Sequence, residues 1–314
     1  MRAAIAAVKV AFAALSCGEA TVPVRTRIAA PAHGGTALYM PAYLQAGQSL
    51  GIKAVSVYPG NRDRGLPMIF AAVLLQDAAT GRPTALLEGT YLTALRTGAA
   101  TGAATDLLAR PDASRLALLG TGGQALTQLE GVCAVRPVNM VSVCGRDAAR
   151  VSLFVERAQS LPFAQGIQFQ HAATPPEAVR MADVVVTATT ARAPLFGPAD
   201  IRAGTHINAI GAFTPEMQEV PPELVVRAKL VVDSREACLA EAGDILIPMR
   251  LGLISTAHIY AELGELVAGR KPGRVSPDEI TLFKSVGNAV QDLAVSQLAL
   301  EQAERQGLGQ VMEF

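Results

Sequence analysis

The sequence predicts an α/β protein in which a doubly wound parallel sheet is interleaved with a β-rich part. Three observations carry this prediction. Apolar runs such as Leu116–Leu119 and Val184–Val186 alternate with helical stretches, the pattern of strands buried on both faces. Between Thr21 and Glu88 the pattern is different, with short β-rich runs separated by Gly, Pro and Asn turns. No internal repeat or low-complexity linker separates the two regions, so they are interleaved rather than strung out.

Taken in order, the chain opens on an apolar stretch that superficially resembles a signal peptide, but Lys9 interrupts it. Ile5, Val8, Phe12 and Leu15 recur at helical spacing with Lys9 at the stripe's edge, so an amphipathic helix is expected. Strands follow in VPVRTRIAA, TALYMPAYL, GIKAVSVYP and LPMIFAAVLL, and DAATGRPT reads as a hairpin connection. A helix rich in Gly and Ala spans Tyr91 to Ala109, suited to close approach by a backbone or a ligand. From Arg115, strands in LALLG, MVSVCG, IQFQHA, DVVVTATT, HINAIGA and KLVVDS are joined by helices in GQALTQLEGVCAV, DAARVSLFVERAQS and PPEAVRMA. A last helix covers Asn288 to Gln306. Residues 1–100 with 288–314 are assigned to one domain and 101–287 to the other.

With 314 residues there is length for two ordinary cores. Lys+Arg and Asp+Glu both number 27, which argues against nucleic acid and anionic membranes, since both select basic surfaces. Aromatics make up 4% and Trp is absent, so no stacking platform for single-stranded nucleic acid is expected. No run reaches the roughly 18 apolar residues of a membrane helix. The four cysteines form no C-x-x-C pair and the four histidines no H-x-x-x-H pair, so no metal site is expected. Free thiols fit a reducing cytoplasm. The expected partner is a small molecule.

Leu116–Leu119 lead into Gly120-Thr121-Gly122-Gly123-Gln124-Ala125, a G-x-G-x-x-A pattern between strand and helix. Gly120 permits the tight turn and Gly122 lets the backbone approach a pyrophosphate. Ala125 is small enough for helix-on-strand packing, and the helix N-terminus attracts phosphate. These six residues are candidate dinucleotide contacts, joined by Thr97, a hydroxyl for phosphate, and by Thr187 and Thr189 at the end of DVVVTATT. The next strand ends Cys144-Gly145-Arg146-Asp147. Its tip carries no acid, and Arg146 suits a 2′-phosphate, so NADP is favoured over NAD, with Asp147 the alternative contact to a ribose hydroxyl.

Arg25, Lys53 and Arg96 lie in apolar, small-residue segments, where a cation is costly unless paired or facing a cavity. Each has a salt bridge as its ordinary explanation; together they are candidates for holding a substrate carboxylate, the clamp an amino- or imino-acid dehydrogenase needs. Asp233, where the KLVVDS strand ends, is either a ligand contact or a helix N-cap.

PVRT at Pro23–Thr26, MPAY at Met40–Tyr43, GIKAVSVYPGN, TALRTGAAT, GTGGQA, HINAIGA, VDSREA, GDI and FKSVG follow one another in an order that resembles the ornithine cyclodeaminase/mu-crystallin family over nearly the whole chain. The resemblance implies a homodimer, with a Rossmann-type NAD(P)-binding domain inserted into a β-rich α+β domain for substrate and dimerisation. It also implies a substrate carboxylate held by Arg25 and Arg96, with Lys53 beside the reacting carbon. Two positions depart from the cyclodeaminases: Phe213 stands where they carry an Asp after the HINAIGA-like strand, and Leu38 where they carry a second acid. Cyclodeamination needs a base to deprotonate the amine, and Phe213 cannot serve. The expected activity is therefore reduction of a small cyclic imino acid such as pyrroline-2-carboxylate or piperideine-2-carboxylate. Ornithine cyclodeaminase, an amino acid dehydrogenase and a non-catalytic, crystallin-like NADP(H) binder are the alternatives.

Overall fold

The computed structural model describes residues 1–312. Helix α1 (Arg2–Ser16) opens the chain, with Ile5, Val8 and Phe12 buried and Lys9 paired at the stripe's edge with Asp106. Six strands then form an antiparallel sheet: β1 (Ala20–Thr21), β2 (Thr26–Ala30), β3 (Gly35–Leu44), β4 (Ser49–Val57), β5 (Ile69–Asp77) and β6 (Pro83–Glu88). The short β1 and β2 lie in line along one edge of β3, Thr21 opposite Tyr43 and Thr26 opposite Tyr39. The break between them exposes the loop that carries Arg25.

Strand alternation sends one side of this sheet inward. In β4 the buried phase includes Gly51, Lys53 and Val55, so Lys53 occupies a core position. Over that face lie α2 (Gly89–Leu108) and α10 (Ala289–Gln306), with α1 packed on both. The opposite face leaves Ile28, Tyr39, Phe70 and Leu86 exposed.

After α2 come β7 (Arg115–Leu119), α3 (Ala125–Cys133), β8 (Met140–Cys144), α4 (Ala148–Gln159), β9 (Gln168–His171), α5 (Pro175–Val179), β10 (Val184–Thr187) and β11 (His206–Ala209). The chain continues through α6 (Pro222–Arg227), β12 (Lys229–Val232), α7 (Arg235–Glu241), α8 (Gly243–Arg250), β13 (Ile259–Glu262), α9 (Leu263–Val267) and β14 (Thr281–Lys284) into α10. The eight strands form one parallel sheet in the order β13-β12-β14-β11-β10-β7-β8-β9. Strand order reverses between β7 and β10, which opens the crevice where doubly wound sheets bind ligands. Near-zero exposure of Leu116–Leu119 and Val184–Val186 matches strands covered on both faces. The fold expectation holds, and β14 is an addition to it: the last strand enters between β11 and β12 and leads directly into α10.

The small residues of α2 are explained by α3. A Cβ at Gly98 would stand 2.1 Å from the Thr127 carbonyl oxygen, and one at Gly131 would stand 2.1 Å from the Gly98 carbonyl oxygen. Thr127 Oγ1 also donates to the Ala94 carbonyl at 2.7 Å. The two backbones touch, so Gly131→Val is expected to cost about 3 kcal/mol by overpacking, read as a lowered denaturant midpoint. No helix among the described residues is long and apolar enough to cross a membrane.

Candidate active site

The loop after β7 is built for close approach. Gly120 has φ of +105°, its amide donates to the Cys144 carbonyl at 2.8 Å, and a Cβ there would stand 2.5 Å from the Ala188 carbonyl oxygen. Gly122 and Gly123 are exposed, and a Cβ at either would meet nothing within 4 Å, so their backbone faces open space. Gln124 is the N-cap of α3 and Ala125 is fully buried at the helix start. Bare amides at a helix start beside open space fit the pyrophosphate of a dinucleotide.

At the neighbouring strand tip the structure separates the two candidates. The Asp147 carboxylate is turned into α4, where it accepts from the Ala149 amide at 2.9 Å and the Arg150 amide at 3.2 Å. Arg146 is exposed and has no ion pair among the described residues.

Thr187 and Thr97 do not face the crevice with free hydroxyls. Thr187 is fully buried and donates to Glu219 Oε2 at 2.9 Å. Thr97 Oγ1 turns back to the Thr93 carbonyl at 2.6 Å. Thr189, half-buried, gives both its amide and its hydroxyl to Glu219 Oε1 at 2.7 Å. Glu219 Oε2 further accepts from the Gly211 and Ala212 amides at 2.7 and 3.1 Å. One carboxyl group therefore ties the tip of β10 to the loop that carries Phe213. Burial, reinforced by Asp244, raises the pKa of Glu219, while Lys284 opposes the shift. Sequence reading did not single out Glu219; its place in EMQEV resembles any polar loop.

The three candidate cations converge on a second cluster. Lys53 Nζ lies 2.7 Å from Asp292 Oδ2, and Arg96 Nε lies 3.2 Å from Asp292 Oδ1. Both cations and the carboxylate are nearly water-free, with side-chain exposures of 1%, 7% and 2%. Neither approach has hydrogen-bond angles, so both carboxylate oxygens and Arg96 Nε keep unused bonding capacity. Gln291 Oε1 accepts from Arg96 Nη1. Burial pushes Lys53 down to about 7; Asp292 works against that shift, and Arg96 and Arg25 add to it by repulsion. Arg25 itself is held by Glu241, its Nε donating to Oε1 at 2.8 Å and its Nη2 donating to Oε2.

A cavity opens beside these groups, lined by Arg25 and Met40 on the sheet side, Ser234, Glu236 and Glu241 around α7, and Gly287 before α10. A Cβ at Gly287 would stand 2.6 Å from Arg96 Nη1, so the cavity wall lies directly over that guanidinium. Asp233 builds this wall. It accepts from Ser285 Oγ at 2.7 Å, the Val286 amide at 3.0 Å and the Gly287 amide at 2.8 Å, while Ser234, not Asp233, caps α7. Neither role considered for Asp233 is the one seen. Asp292 was also unread, although the lone acid in AVQDLAV carries the same signal as Lys53, a charge on an apolar face. Only Thr97 separates Arg96 in this cluster from Gly98, which seats the helix opening from the dinucleotide loop.

The sequence model of the ornithine cyclodeaminase/mu-crystallin family matches residues 1–307. The chain belongs to that family. A Delta(1)-pyrroline-2-carboxylate reductase of Bacillus cereus is 41% identical over 311 residues, covering 97% of this chain and 94% of the relative. The ketimine reductase mu-crystallin of Mus musculus is 36% identical over 285 residues, covering 90% and 86%. Among solved structures, the Thermococcus litoralis Delta(1)-pyrroline-2-carboxylate reductase in complex with NADH and L-proline superposes with a TM-score of 0.94. It is 45% identical, and the match covers 98% of this chain and 95% of that one. Within the family frame, Phe213 is 38% exposed in the loop after β11, and Leu38 is half-buried in β3. Neither offers a titratable group.

Proposed function

We propose that this family member is an NAD(P)H-dependent reductase of small cyclic imino acids, with pyrroline-2-carboxylate or piperideine-2-carboxylate as substrate. The observation that carries the reading is the grouping of three cations: Arg25 lines the cavity, Arg96 lies directly behind its Gly287 wall, and Lys53, with a pKa lowered to about 7, shares Asp292 with Arg96. Arg25 and Arg96 hold the substrate carboxylate and orient the C=N bond. A reduced nicotinamide, when bound by the Gly120–Ala125 loop, would supply the hydride that the imine carbon needs. Lys53 gives a proton to the nitrogen, which completes the secondary amine, and a pKa near 7 lets the ammonium release it. Asp292 keeps Lys53 charged when the proton is needed.

Gly120–Ala125 hold the dinucleotide, with Thr189 at the crevice edge and with Thr97 and Thr187 setting the backbone behind it. NADPH is the favoured form: Asp147 is committed to capping α4, and Arg146 stands free for a 2′-phosphate. Arg146→Asp is expected to weaken NADPH binding about tenfold or more and to leave NADH binding unchanged or tighter, measured as Kd by nucleotide fluorescence. Residues 1–100 with 288–314 form the substrate and dimer domain, and 101–287 the dinucleotide domain. A second copy covers Ile28, Tyr39, Phe70 and Leu86, since such an apolar sheet face marks an interface. Buried free thiols at Cys144 and Cys238 suit a reducing cytoplasm.

The test follows NADPH and NADH oxidation with pyrroline-2-carboxylate, with ornithine and NAD run alongside for proline and ammonia. Imine reduction without ornithine turnover is expected, because Phe213 offers no base for the deamination. Proline and ammonia from ornithine would overturn the reading.

A further inference from the structure

We infer that Glu241 is a specificity-determining residue of the imino-acid pocket, which admits one carboxylate and repels a second. The inference rests on the carboxylate-binding cluster proposed above. Glu241 takes the Nε and Nη2 edge of Arg25, and Nη1 makes no hydrogen bond among the described residues. Arg25 lines the cavity, and Nη1 is left over to meet a ligand there. With side-chain exposures of 13% for Arg25 and 24% for Glu241, the pair stands between the cavity and water.

The pocket is polarised as a result. Behind its Gly287 wall lie Arg96 and Lys53 against Asp292 alone. Its mouth carries Arg25 against Glu241, with Glu236 of the same helix exposed at the rim. Arg235 does not offset these acids, because its guanidinium is turned to the Ile259 and Tyr260 carbonyls and to Glu265. Counting Arg25, Lys53, Arg96, Asp292 and Glu241, and setting aside Glu236 because water screens it at the exposed rim, one positive charge is left over while Lys53 is protonated. One substrate carboxylate neutralises it. A second carboxylate would enter an already balanced cavity, facing Glu241 at the mouth and Glu236 behind it, where like charges poorly screened by water repel strongly. The substrate class is therefore narrowed to monocarboxylic imino acids.

The experiment compares two flat ring ligands, pyrrole-2-carboxylate and pyrrole-2,5-dicarboxylate, by calorimetric titration of the full-length protein. The wild type is expected to bind the monoacid about tenfold tighter or better. Glu241→Gln keeps an acceptor for Arg25 and removes the charge; it is expected to narrow that ratio about fivefold. Glu241→Asp restores the charge and with it the ratio, even where both affinities fall. Glu236→Gln, at an exposed position that tolerates substitution, narrows the ratio about twofold by the same repulsion, less because water screens it. A ratio unchanged in Glu241→Gln, or no preference in the wild type, overturns the inference. A separate arm tests the footing: if Arg25→Ala and Arg96→Ala both leave monoacid binding intact, the carboxylate cluster itself falls, and the inference with it.

Discussion

Lys53→Met is expected to lower kcat for imine reduction about a thousandfold, the usual worth of a positioned proton donor, while substrate Kd changes far less. The methionine fills the same core position in β4 and carries no proton. The wild-type pH profile gives the companion result. Below about pH 7 Lys53 is an ammonium and reductive kcat is flat; above it the donor is lost, and kcat falls about tenfold per pH unit. Oxidation of the cyclic amine, which needs the free base, rises over the same range. Stability carries the same signature with its own sign. The folded-state pKa of about 7 lies below the ordinary 10.5, so between those values the unfolded chain binds the proton that the folded chain has released. Folding stability attributable to Lys53 therefore rises with pH across that window, and the wild type shows this slope relative to Lys53→Met. A variant with full activity, or with an unchanged pH profile, would remove Lys53 from the reaction.

Asp292→Ala is expected to be the most destabilising single change in the site. Two cations, Lys53 and Arg96, are nearly water-free around that carboxylate. Removing one partner of a buried ion pair costs about 3–5 kcal/mol, because the remaining charge is left uncompensated. Denaturant titration reads the loss. Of the groups acting on Lys53, Asp292 is the main one raising its pKa, so the variant also moves the alkaline fall in reductive kcat to lower pH. Asp292→Asn preserves volume and should show the pH displacement with a smaller stability loss. If both variants match the wild type in stability and pH profile, the carboxylate is not holding Lys53.

What the sequence made legible was local in the chain. Gly120 to Ala125 are contiguous, and their meaning depends only on a strand before them and a helix after, so motif and context could be read together. The small residues of α2 were likewise visible as pattern. The region from Pro222 to Lys284 was less so, because α6 to α9, β13 and β14 are short and tertiary packing decides their state. The insertion of β14 beside β11 follows from strand order, which no local signal encodes. The cation cluster lay between these extremes. Arg25, Lys53 and Arg96 stood out as charges in apolar surroundings, but their partners Glu241 and Asp292 sit far along the sequence in helices that looked ordinary. Asp147 and Asp233 show the same limit, since an acid at a strand tip can face a ligand, cap a helix or, as Asp233 does, bind the amides of a distant loop.

The late return of the chain through β14 into α10 has a consequence for folding. Helix α10 covers the inward face of β3, β4 and β5, and it brings Asp292 to Lys53 from the opposite end of the sequence. On a ribosome, the antiparallel sheet would emerge with a lysine on its core face and no counterion, and it would wait for the whole dinucleotide-binding sheet before its core could close. Contacts so remote in sequence slow folding and lengthen the exposure of unfinished apolar surface. Truncation before α10 should therefore leave the N-terminal sheet as an aggregating fragment rather than a stable small domain.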